Sequence, residues 1–517
     1  MTIEFNDIGV TLQALHSAMP IWRGTVAAQQ YRKLCERVHN QGGRLMALWG
    51  SDERMRGGHF ALHVALAAQP GLYALQLNLP DGHLSFPDIS DLFPAANRMQ
   101  RAVHDLLGIQ AAGAIDSRKW LRHGAWREGC YPLRKDFDGQ HLSPAEPDAY
   151  PFVLVEGDGV HEIPVGPVHA GTIEPGHFRF SIIGERVLRL EQRFGYKHKG
   201  IEKRFESLTP LEGAALAGRL SGDSTVANSW AYAMALESLV GFTPPSRALW
   251  LRALFLELER IHNHLGDLGY LGNDVALAFG FAQFWRLKED MLRLHQDMFG
   301  HRYLMDKIVP GGVACNIGSN RARRLAQQLA TLKDEVHILK NIYDEHAGVQ
   351  DRFLTTGRVK PALAAKLGLT GLPGRASGQA WDLRAQYPCA PYDQLDVHMA
   401  THRNGDVAAR VTVRFEEVFE SIRLIGLILD RMPPGEVCAN LPPIPDNAFA
   451  IGWVEGWRGE ILIALHTGSG NTLHRVHPHD PSWQNWPVLE HAIIGNIVPD
   501  FPLINKSFNL SYAGQDL

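Results

Sequence analysis

The sequence has few of the features that mark metal, nucleotide or hydrolase sites. It contains five cysteines in 517 residues, and no two of them form a C-x-x-C pair. Scattered cysteines exclude a disulfide framework and a thiolate metal site, and they are typical of a reducing cytosol. The sequence has no G-x-x-x-x-G-K-[ST] loop, no strand-to-helix G-x-G-x-x-G turn and no G-x-S-x-G elbow. It therefore gives no reason to expect a nucleotide site or a serine hydrolase.

Charge and hydropathy argue against two further classes. The 51 lysines and arginines nearly balance the 55 aspartates and glutamates, so the formal net charge is −4 and nucleic-acid binding is not expected. No apolar run reaches the roughly 18 residues of a transmembrane helix. The first ten residues, MTIEFNDIGV, lack the basic and apolar regions of a signal peptide. We therefore expect a cytoplasmic protein without a membrane span.

The length exceeds what one hydrophobic core usually serves, so we expect two or more domains. Residues 1 to about 140 alternate short apolar runs with helical stretches, and Val103, Leu106 and Leu107 share a helix face that ends before Gly108. This pattern predicts a small α/β domain. The polar, proline-bearing stretch 140–151 is typical of a linker. The predicted domains are residues 1–145 and 146–517.

The second region is predicted to be mainly helical. Apolar residues recur at intervals of three and four from Leu325 to Tyr343 and from Val411 to Leu429. Each series is one stripe of a long helix that cannot bury its apolar face alone, which favours a helical bundle. Shorter runs around 160–190 and 447–480 predict small flanking sheets. The expected fold class is a multi-domain α+β protein.

Several motifs in the second region resemble those of a known family. They are GPVHAGTIEPGHFRF (166–180), GYKHKGIEKRFE (195–206), LELERIHNHLGDLG (256–269), PGGV (310–313), NGDVAARVTVRFEEVFESIRLI (404–425), WRGEILIALHTGSGNT (457–472) and INKSFNLSYAGQDL (504–517). Together they resemble the large subunit of membrane-bound [NiFe] hydrogenases and the related 49-kDa-type subunit of respiratory complex I. FPAANRMQRAVHDLLGI and YPLRKDF resemble the 30-kDa-type subunit. The fusion is similar to the large subunit of formate hydrogenlyase.

The resemblance fails at the metal ligands. In the hydrogenases two C-x-x-C pairs hold nickel and iron; here the first pair falls on Ser221 and Ser224, and the histidine that follows falls on Asn228. The second pair falls on Ser511 and Gly514. Neutral hydroxyls and a glycine are poor ligands for thiophilic metals. We therefore expect no metal and no nickel in this chain, and a cavity without its ligands.

Two other site residues follow from the resemblance. Glu202, in K-G-I-E, matches the glutamate of the R-G-x-E motif, which relays protons near the metals in that family. Arg458, in W-R-G-E, matches an arginine that lines the cavity. The alternative for Glu202 is an ordinary helix-face charge paired with Lys199 or Lys203.

A titratable cluster and a changed quinone site are also expected. Asp223 stands where the family has an apolar residue, and His177, Glu202 and Asp223 would form a cluster with raised carboxylate pKa values if the fold joins them. The tyrosine that holds a quinone in the 49-kDa-type subunit falls on Gly222, and the histidine falls on Pro175 or, with a shift, on His177. Quinone reduction in the usual geometry is therefore not expected, and the alternative is a different pose of the quinone headgroup.

The resemblance implies a subunit of a membrane-bound, complex I-like oxidoreductase without a nickel–iron centre. It would take electrons from a neighbouring small subunit that carries a [4Fe-4S] cluster and pass them to quinone or an unknown acceptor, coupled to ion movement. Further expected partners are a ferredoxin-like iron–sulfur subunit and antiporter-like membrane subunits, with the chain on the cytoplasmic face of the membrane. The alternative is a non-catalytic structural or energy-coupling subunit with a degenerate hydrogenase fold.

Overall fold

A five-stranded sheet organises the first region of the computed structural model, which describes residues 9–139, 149–170 and 173–517. Its strands are β1 (Gln13–Ala14), β2 (Ile21–Val26), β3 (Arg44–Asp52), β4 (His59–Ala68) and β5 (Gly71–Pro80), in the order β1-β2-β5-β4-β3. Within this sheet, β2 and β5 run parallel and the other neighbours run antiparallel. The other elements are α1 (Ala28–Asn40), α2 (Arg54–Gly57), α3 (Ala96–Leu107) and the paired short strands β6 (Ser85–Pro87) and β7 (Gln110–Ala112).

Helix α3 confirms the helix predicted for this region. Val103, Leu106 and Leu107 are buried and α3 packs on β3. The helix ends at Gly108, which adopts a left-handed conformation (φ 77°) and donates its N–H to the carbonyl of His104. Glycine adopts this conformation without the steric cost that a Cβ adds, so the predicted stop is explained.

The second region begins with an antiparallel sheet and continues into helices. The sheet holds β8 (Val160–Val165), β9 (His177–Ile183) and β10 (Arg186–Arg193) in the order β10-β9-β8. The elements that follow are α4 (Ile201–Phe205), α5 (Pro210–Ala217), α6 (Thr225–Leu239), α7 (Ser246–Asp274), α8 (Ala278–Phe299), β11 (Ile308–Val309), β12 (Gly312–Val313), α9 (Ser319–Glu345), α10 (Ala347–Phe353), α11 (Pro361–Leu367), α12 (Gly371–Ala376), α13 (Leu383–Gln386) and α14 (Val407–Arg431).

A second antiparallel sheet and three helices complete the chain. The sheet holds β13 (Phe449–Glu455), β14 (Glu460–Thr467) and β15 (Leu473–His479), joined as a meander. The helices are α15 (Ser482–Ala492), α16 (Phe501–Phe508) and α17 (Tyr512–Asp516). Helix α6 packs across β13 and β14. The small sheets predicted around 160–190 and 447–480 are confirmed.

The two long apolar stripes lie on helices that pack together. Helix α9 buries all six residues of its stripe: Leu325, Leu329, Leu332, Val336, Leu339 and Tyr343. Helix α14 packs between α7 and α9 and buries Val411, Phe415, Val418 and Ile425 of its stripe. The mixed α+β architecture with a helical second region is thus confirmed.

The two regions share one continuous apolar core. Ion pairs also cross between them, from Arg44 to Glu460 and from Arg98 to Glu490, each at 2.6 Å. The predicted linker overlaps residues 140–148, which lie outside the described residues, so the boundary at 145/146 stays a prediction. Across the described ranges, no helix combines the length and apolar character that crossing a membrane requires.

Candidate functional site

Two segments far apart in the chain meet at the predicted ligand positions. The hydroxyl oxygens of Ser221 and Ser511 lie 3.1 Å apart, although 290 positions separate them in sequence. Ser221 precedes a single helical turn, 222–224, that leads into α6. Ser511 is the N-cap of α17 and its hydroxyl oxygen accepts the N–H of Gly514 at 2.8 Å. The serine that occupies a ligand position therefore acts as a helix cap.

An ion pair occupies the space between these segments. Both terminal nitrogens of Arg458 donate to the carboxylate of Asp223, at 2.9 and 2.6 Å. Ser221 donates its hydroxyl to the same carboxylate at 2.7 Å. Arg458 also donates to the carbonyl of Asn509 at 2.6 Å, which fixes the guanidinium plane. Such a two-point arginine–carboxylate pair is strong and directional.

Ser224 and Asn228, the other positions matched to metal ligands near the start of α6, form local hydrogen bonds. The hydroxyl oxygen of Ser224 accepts from the indole N–H of Trp457 at 3.1 Å and from Arg458 at 3.2 Å. Asn228 donates its amide to the carbonyl of Ser224, one helical turn earlier, at 2.9 Å. Both side chains therefore stabilise the start of α6.

A neighbouring carboxylate fills the fourth ligand position. A Cβ placed on Gly514 would lie 2.7 Å from a carboxylate oxygen of Asp480. Real Cβ contacts do not come this close, so a side chain at position 514 requires Asp480 to move. Asp480 itself accepts the N–H of Ser482 at 2.8 Å, at the start of α15. The site holds three hydroxyls and a carboxylate at the four positions matched to thiolates, and an amide at the position matched to a histidine.

A large cavity remains beside these residues. It has a volume of about 580 Å³ and is lined by Ser221, Asp223, Arg458 and Ser511, by lysines of three segments, and by aromatic side chains of α7 and α8. Gly222 also lines it, and a Cβ on Gly222 would meet no atom within 4 Å. A volume of this size is within the range of small-molecule sites.

Glu202 lies in a different place from this cavity. It sits on α4 beneath β15, where Arg475 approaches its carboxylate at 2.6 Å and Nδ1 of His477 at 2.8 Å. Lys203 instead pairs with Glu206 at 3.1 Å, and Lys199 donates to the carbonyl of Leu220 at 3.2 Å. The alternative of a surface pair with Lys199 or Lys203 is therefore wrong.

The raised carboxylate pKa values predicted for this cluster are also wrong. Burial acts to raise the pKa of Glu202, but the charge of Arg475 and the hydrogen bond with His477 lower it to about 2. Burial likewise acts on Asp223, and the charge of Arg458 outweighs it, so the pKa of Asp223 lies well below its usual value. Both groups are ionised near neutral pH because each has its own arginine.

The predicted cluster of His177, Glu202 and Asp223 does not form. His177 begins β9, places Nδ1 3.2 Å from the carbonyl of Gly166 and packs against Phe152 with ring centres 5.1 Å apart. Burial lowers its pKa. Among the described residues no hydrogen bond or ion pair joins any two of the three. The fold therefore separates side chains that the motifs group together.

The partners of Glu202 were not predicted from the sequence, and for Asp223 the sequence indicated Arg458 as a cavity residue but not their ion pair. Arg475 and His477 are two positions apart on β15 and therefore face the same side of the strand. This spacing is the one sequence signal that could have grouped them. Asp480, Lys288 and Tyr303 belong to no recognised motif. They reach the ligand positions or the cavity wall through tertiary placement alone.

The donor groups do not fit the nickel–iron centre that the resemblance to hydrogenases implies. Within the described residues, no three side chains of the His, Cys, Asp and Glu types form a group that could hold a metal ion. The hydroxyls at positions 221, 224 and 511 are engaged in hydrogen bonds with protein groups. A nickel–iron centre needs soft, charged sulfur ligands instead.

Comparison with known proteins gives consistent relatives for both regions. Residues 24–142 match the family of the respiratory-chain NADH dehydrogenase 30 Kd subunit, and residues 274–448 match that of the 49 Kd subunit. Formate hydrogenlyase subunit 5 of Escherichia coli (strain K12) is 31% identical over 489 residues, which cover 92% of this chain and 85% of the relative. Hydrogenase-4 component G of the same organism is 31% identical over 485 residues, covering 92% and 84%. The NADH-quinone oxidoreductase C/D protein of Bacteroides thetaiotaomicron is 28% identical over 450 residues, covering 83% and 84%.

A solved structure shares the architecture of most of this chain. A chain of the membrane-bound sulfane sulfur reductase, an archaeal respiratory membrane complex, superimposes with a TM-score of 0.66 at 27% identity. The match covers 69% of this chain and 99% of that chain. The same architecture therefore occurs in complexes whose names give different electron acceptors.

Proposed function

Because the chain belongs to the family of complex I-like subunits in which the 30-kDa-type and 49-kDa-type parts are fused, we propose that it serves a redox complex that works without a [NiFe] centre. It is a subunit of a membrane respiratory complex of the hydrogenase and NADH–quinone oxidoreductase type. In our proposal, an adjacent small subunit with a [4Fe-4S] cluster delivers electrons to the cavity beside Asp223. The acceptor is quinone or another small molecule, and its reduction is coupled to ion movement.

The observation that carries this proposal is the retained cavity. The four thiolate positions are occupied by serines and a glycine, yet about 580 Å³ remains open beside them. A fold that had become purely structural would gain stability by filling such a space, since packed side chains replace lost contacts. The open cavity therefore favours an acceptor site over the alternative of a non-catalytic structural subunit.

The residues of this chain have definite roles in the proposal. Arg458 and Asp223 hold the floor of the cavity in a fixed geometry, and the hydroxyl proton of Ser221 is committed to the carboxylate of Asp223. Glu202 is paired with Arg475 and ionised, so proton relay through it requires that pair to open. We propose that Glu202 mainly anchors α4 under β15.

The proposed partners follow from the family. We propose an iron–sulfur small subunit, a ferredoxin-like iron–sulfur subunit and antiporter-like membrane subunits, with this chain peripheral on the cytoplasmic face. Produced with these partners, the chain should fractionate with membranes; produced alone, it should not. A well-behaved monomer that never joins a membrane complex under either condition would contradict the subunit assignment.

Turnover of the purified complex tests the catalytic part. The complex is reduced with dithionite, and reoxidation of its iron–sulfur signal is followed after adding decylubiquinone or polysulfide in separate runs. Acceptor-dependent reoxidation that fails in an Arg458→Met variant is the expected result. An intact complex that transfers no electrons to any acceptor, with or without this substitution, would support the structural alternative.

A further inference from the structure

The cavity beside Asp223 has more positive than negative charge at its walls. Three of its four carboxylates are in ion pairs: Glu174 with Lys197 at 3.5 Å, Asp223 with Arg458 at 2.6 Å and Asp267 with Arg414 at 3.0 Å. The fourth, Asp274, has a pKa raised by burial, which favours its neutral form. In contrast, no carboxylate of the described residues lies within ion-pair distance of Lys199 or Lys288, which line the same cavity.

Lys288 is the more distinctive of these two lysines. It projects from α8 onto α7, where a Cβ on Gly266 would lie 2.7 Å from its ammonium nitrogen. Its ammonium also lies 5.2 Å from the ring centre of Trp285. A glycine inside a long helix is unfavourable unless something needs the space, and here the lysine ammonium uses it. The fold therefore makes room for an ammonium that pairs with no carboxylate in the described part of the chain.

Part of the remaining wall of the cavity is apolar and aromatic, beside Arg219, Lys506 and three asparagines. Trp285 and Tyr270 pack edge to face with ring centres 5.2 Å apart, and Leu510 and Tyr512 lie on the wall beyond α16. A partly buried ammonium without a paired carboxylate is unfavourable, because removal from water penalises the charged form. Burial lowers the pKa of Lys288, so an anion beside the ammonium would stabilise its charged form.

From these placements we propose that the cavity binds a small organic anion, with its charged group at Lys288 and its apolar body against the wall of Trp285 and Tyr270. Lys199 supplies a second positive charge to the same cavity. This inference rests on the proposed function in one respect: the anion is the electron acceptor or its reduced form. The binding itself requires no electron transfer.

Calorimetric titration of the purified complex, without any electron donor, tests the proposal. The probes are benzoate and its neutral isostere benzamide, which differ in charge but hardly in shape. Benzoate should bind at least tenfold more tightly than benzamide. Lys288→Met keeps most of the length of the side chain and removes the charge, so it should weaken benzoate binding about tenfold or more and leave benzamide binding unchanged.

Two further variants separate charge placement from general damage. Lys333→Met removes an exposed lysine of α9 that faces solvent, and it should leave both affinities unchanged. Gly266→Ala keeps the charge of Lys288 but displaces its ammonium nitrogen, so it should weaken benzoate binding severalfold. The thermal stability of this variant should change little, because alanine favours the helix and the displaced nitrogen is the free end of a flexible side chain, unlike the short Asp480 side chain beside Gly514.

Equal binding of benzoate and benzamide, or no binding of benzoate at millimolar concentration, overturns the proposal. The proposal also fails if Lys288→Met and Lys333→Met have the same effect on benzoate binding. If benzoate binds as expected but the complex reduces no acceptor, the anion site stands and the redox function fails. If acceptor reduction proceeds while benzoate neither binds nor inhibits, the redox function stands and the anion site fails.

Discussion

Two carboxylate–arginine pairs of equal length, Glu202 with Arg475 and Asp223 with Arg458, lie in very different surroundings. Glu202 and Arg475 lie 2.6 Å apart, and the side chain of Glu202 is 6% exposed. Asp223 and Arg458 also lie 2.6 Å apart, but the side chain of Asp223 is 35% exposed. The first pair borders a space of about 30 Å³ with mainly apolar walls, whereas the second faces about 580 Å³.

The surroundings decide which of the two pairs can take part in chemistry. An ion pair enclosed by apolar side chains stays closed, because separating the carboxylate from the arginine leaves each charge uncompensated and away from water. At the wall of a large cavity, water can solvate the two charges of an ion pair, and either residue can bind a ligand in place of its partner. The Glu202 pair is therefore an anchor between α4 and β15, and the Asp223 pair is the floor of a binding site.

The largest effect should come from Glu202→Gln. It leaves the guanidinium of Arg475 buried without its counter-charge, which typically costs about 3–5 kcal/mol of stability. Thermal unfolding of the purified complex measures this loss, with the exposed Glu185→Gln as the matched control. A Glu202→Gln complex as stable as the control would mean that the pair is not an anchor.

The pH dependence should show the same ion pair. The pKa of Glu202 falls from its ordinary value near 4.5 to about 2 on folding. The stabilisation is therefore complete above about pH 4.5 and is lost as pH falls through about 2, with a size of about 3 kcal/mol. The difference in stability between the native complex and Glu202→Gln should be equal at pH 7 and 5.5 and should shrink below about 4.5. A stability difference that grows as pH falls would contradict a lowered pKa for Glu202 in the folded protein.

A smaller effect is expected at the fourth ligand position. Gly514→Ala places a Cβ 2.7 Å from the Asp480 carboxylate, and overpacking of this kind typically costs about 1–3 kcal/mol. Gly222→Ala is the matched control, because a Cβ there meets no atom within 4 Å. Equal thermal stabilities for the two variants would show that position 514 has room for a side chain.

The smallest loss of stability is expected for Asp223→Asn. Water in the cavity can solvate the freed guanidinium of Arg458, so the cost should be about 1 kcal/mol, as for a typical hydrogen bond. The substitution should instead lower acceptor turnover about tenfold, because it changes the charge at the floor of the cavity. Asp297→Asn, which breaks an exposed pair with Arg324 away from the cavity, is the control and should leave turnover unchanged. A stability loss as large as that of Glu202→Gln would erase the distinction between the two pairs.

The sequence predicted the architecture better than it predicted the site. Helices α9 and α14 are predictable because their apolar stripes repeat over about five turns, and Gly108 marks the end of α3 through a backbone requirement. The ligand positions Ser221 and Ser511 were aligned by motif, and the fold places them 3.1 Å apart. The pKa directions were wrong because Arg475 and Arg458 are distant in sequence from their carboxylates, and burial alone would raise both values.

Metal analysis of a turnover-competent complex asks whether redox function persists without a nickel–iron centre. Nickel should be far below one atom per chain, because hydroxyls engaged by protein groups and a filled position 514 cannot compete for thiophilic metals. Iron should match the clusters of the partner subunits alone, and acceptor-dependent turnover should persist. About one nickel per chain, together with hydrogen uptake, would show instead that the site still holds its metals.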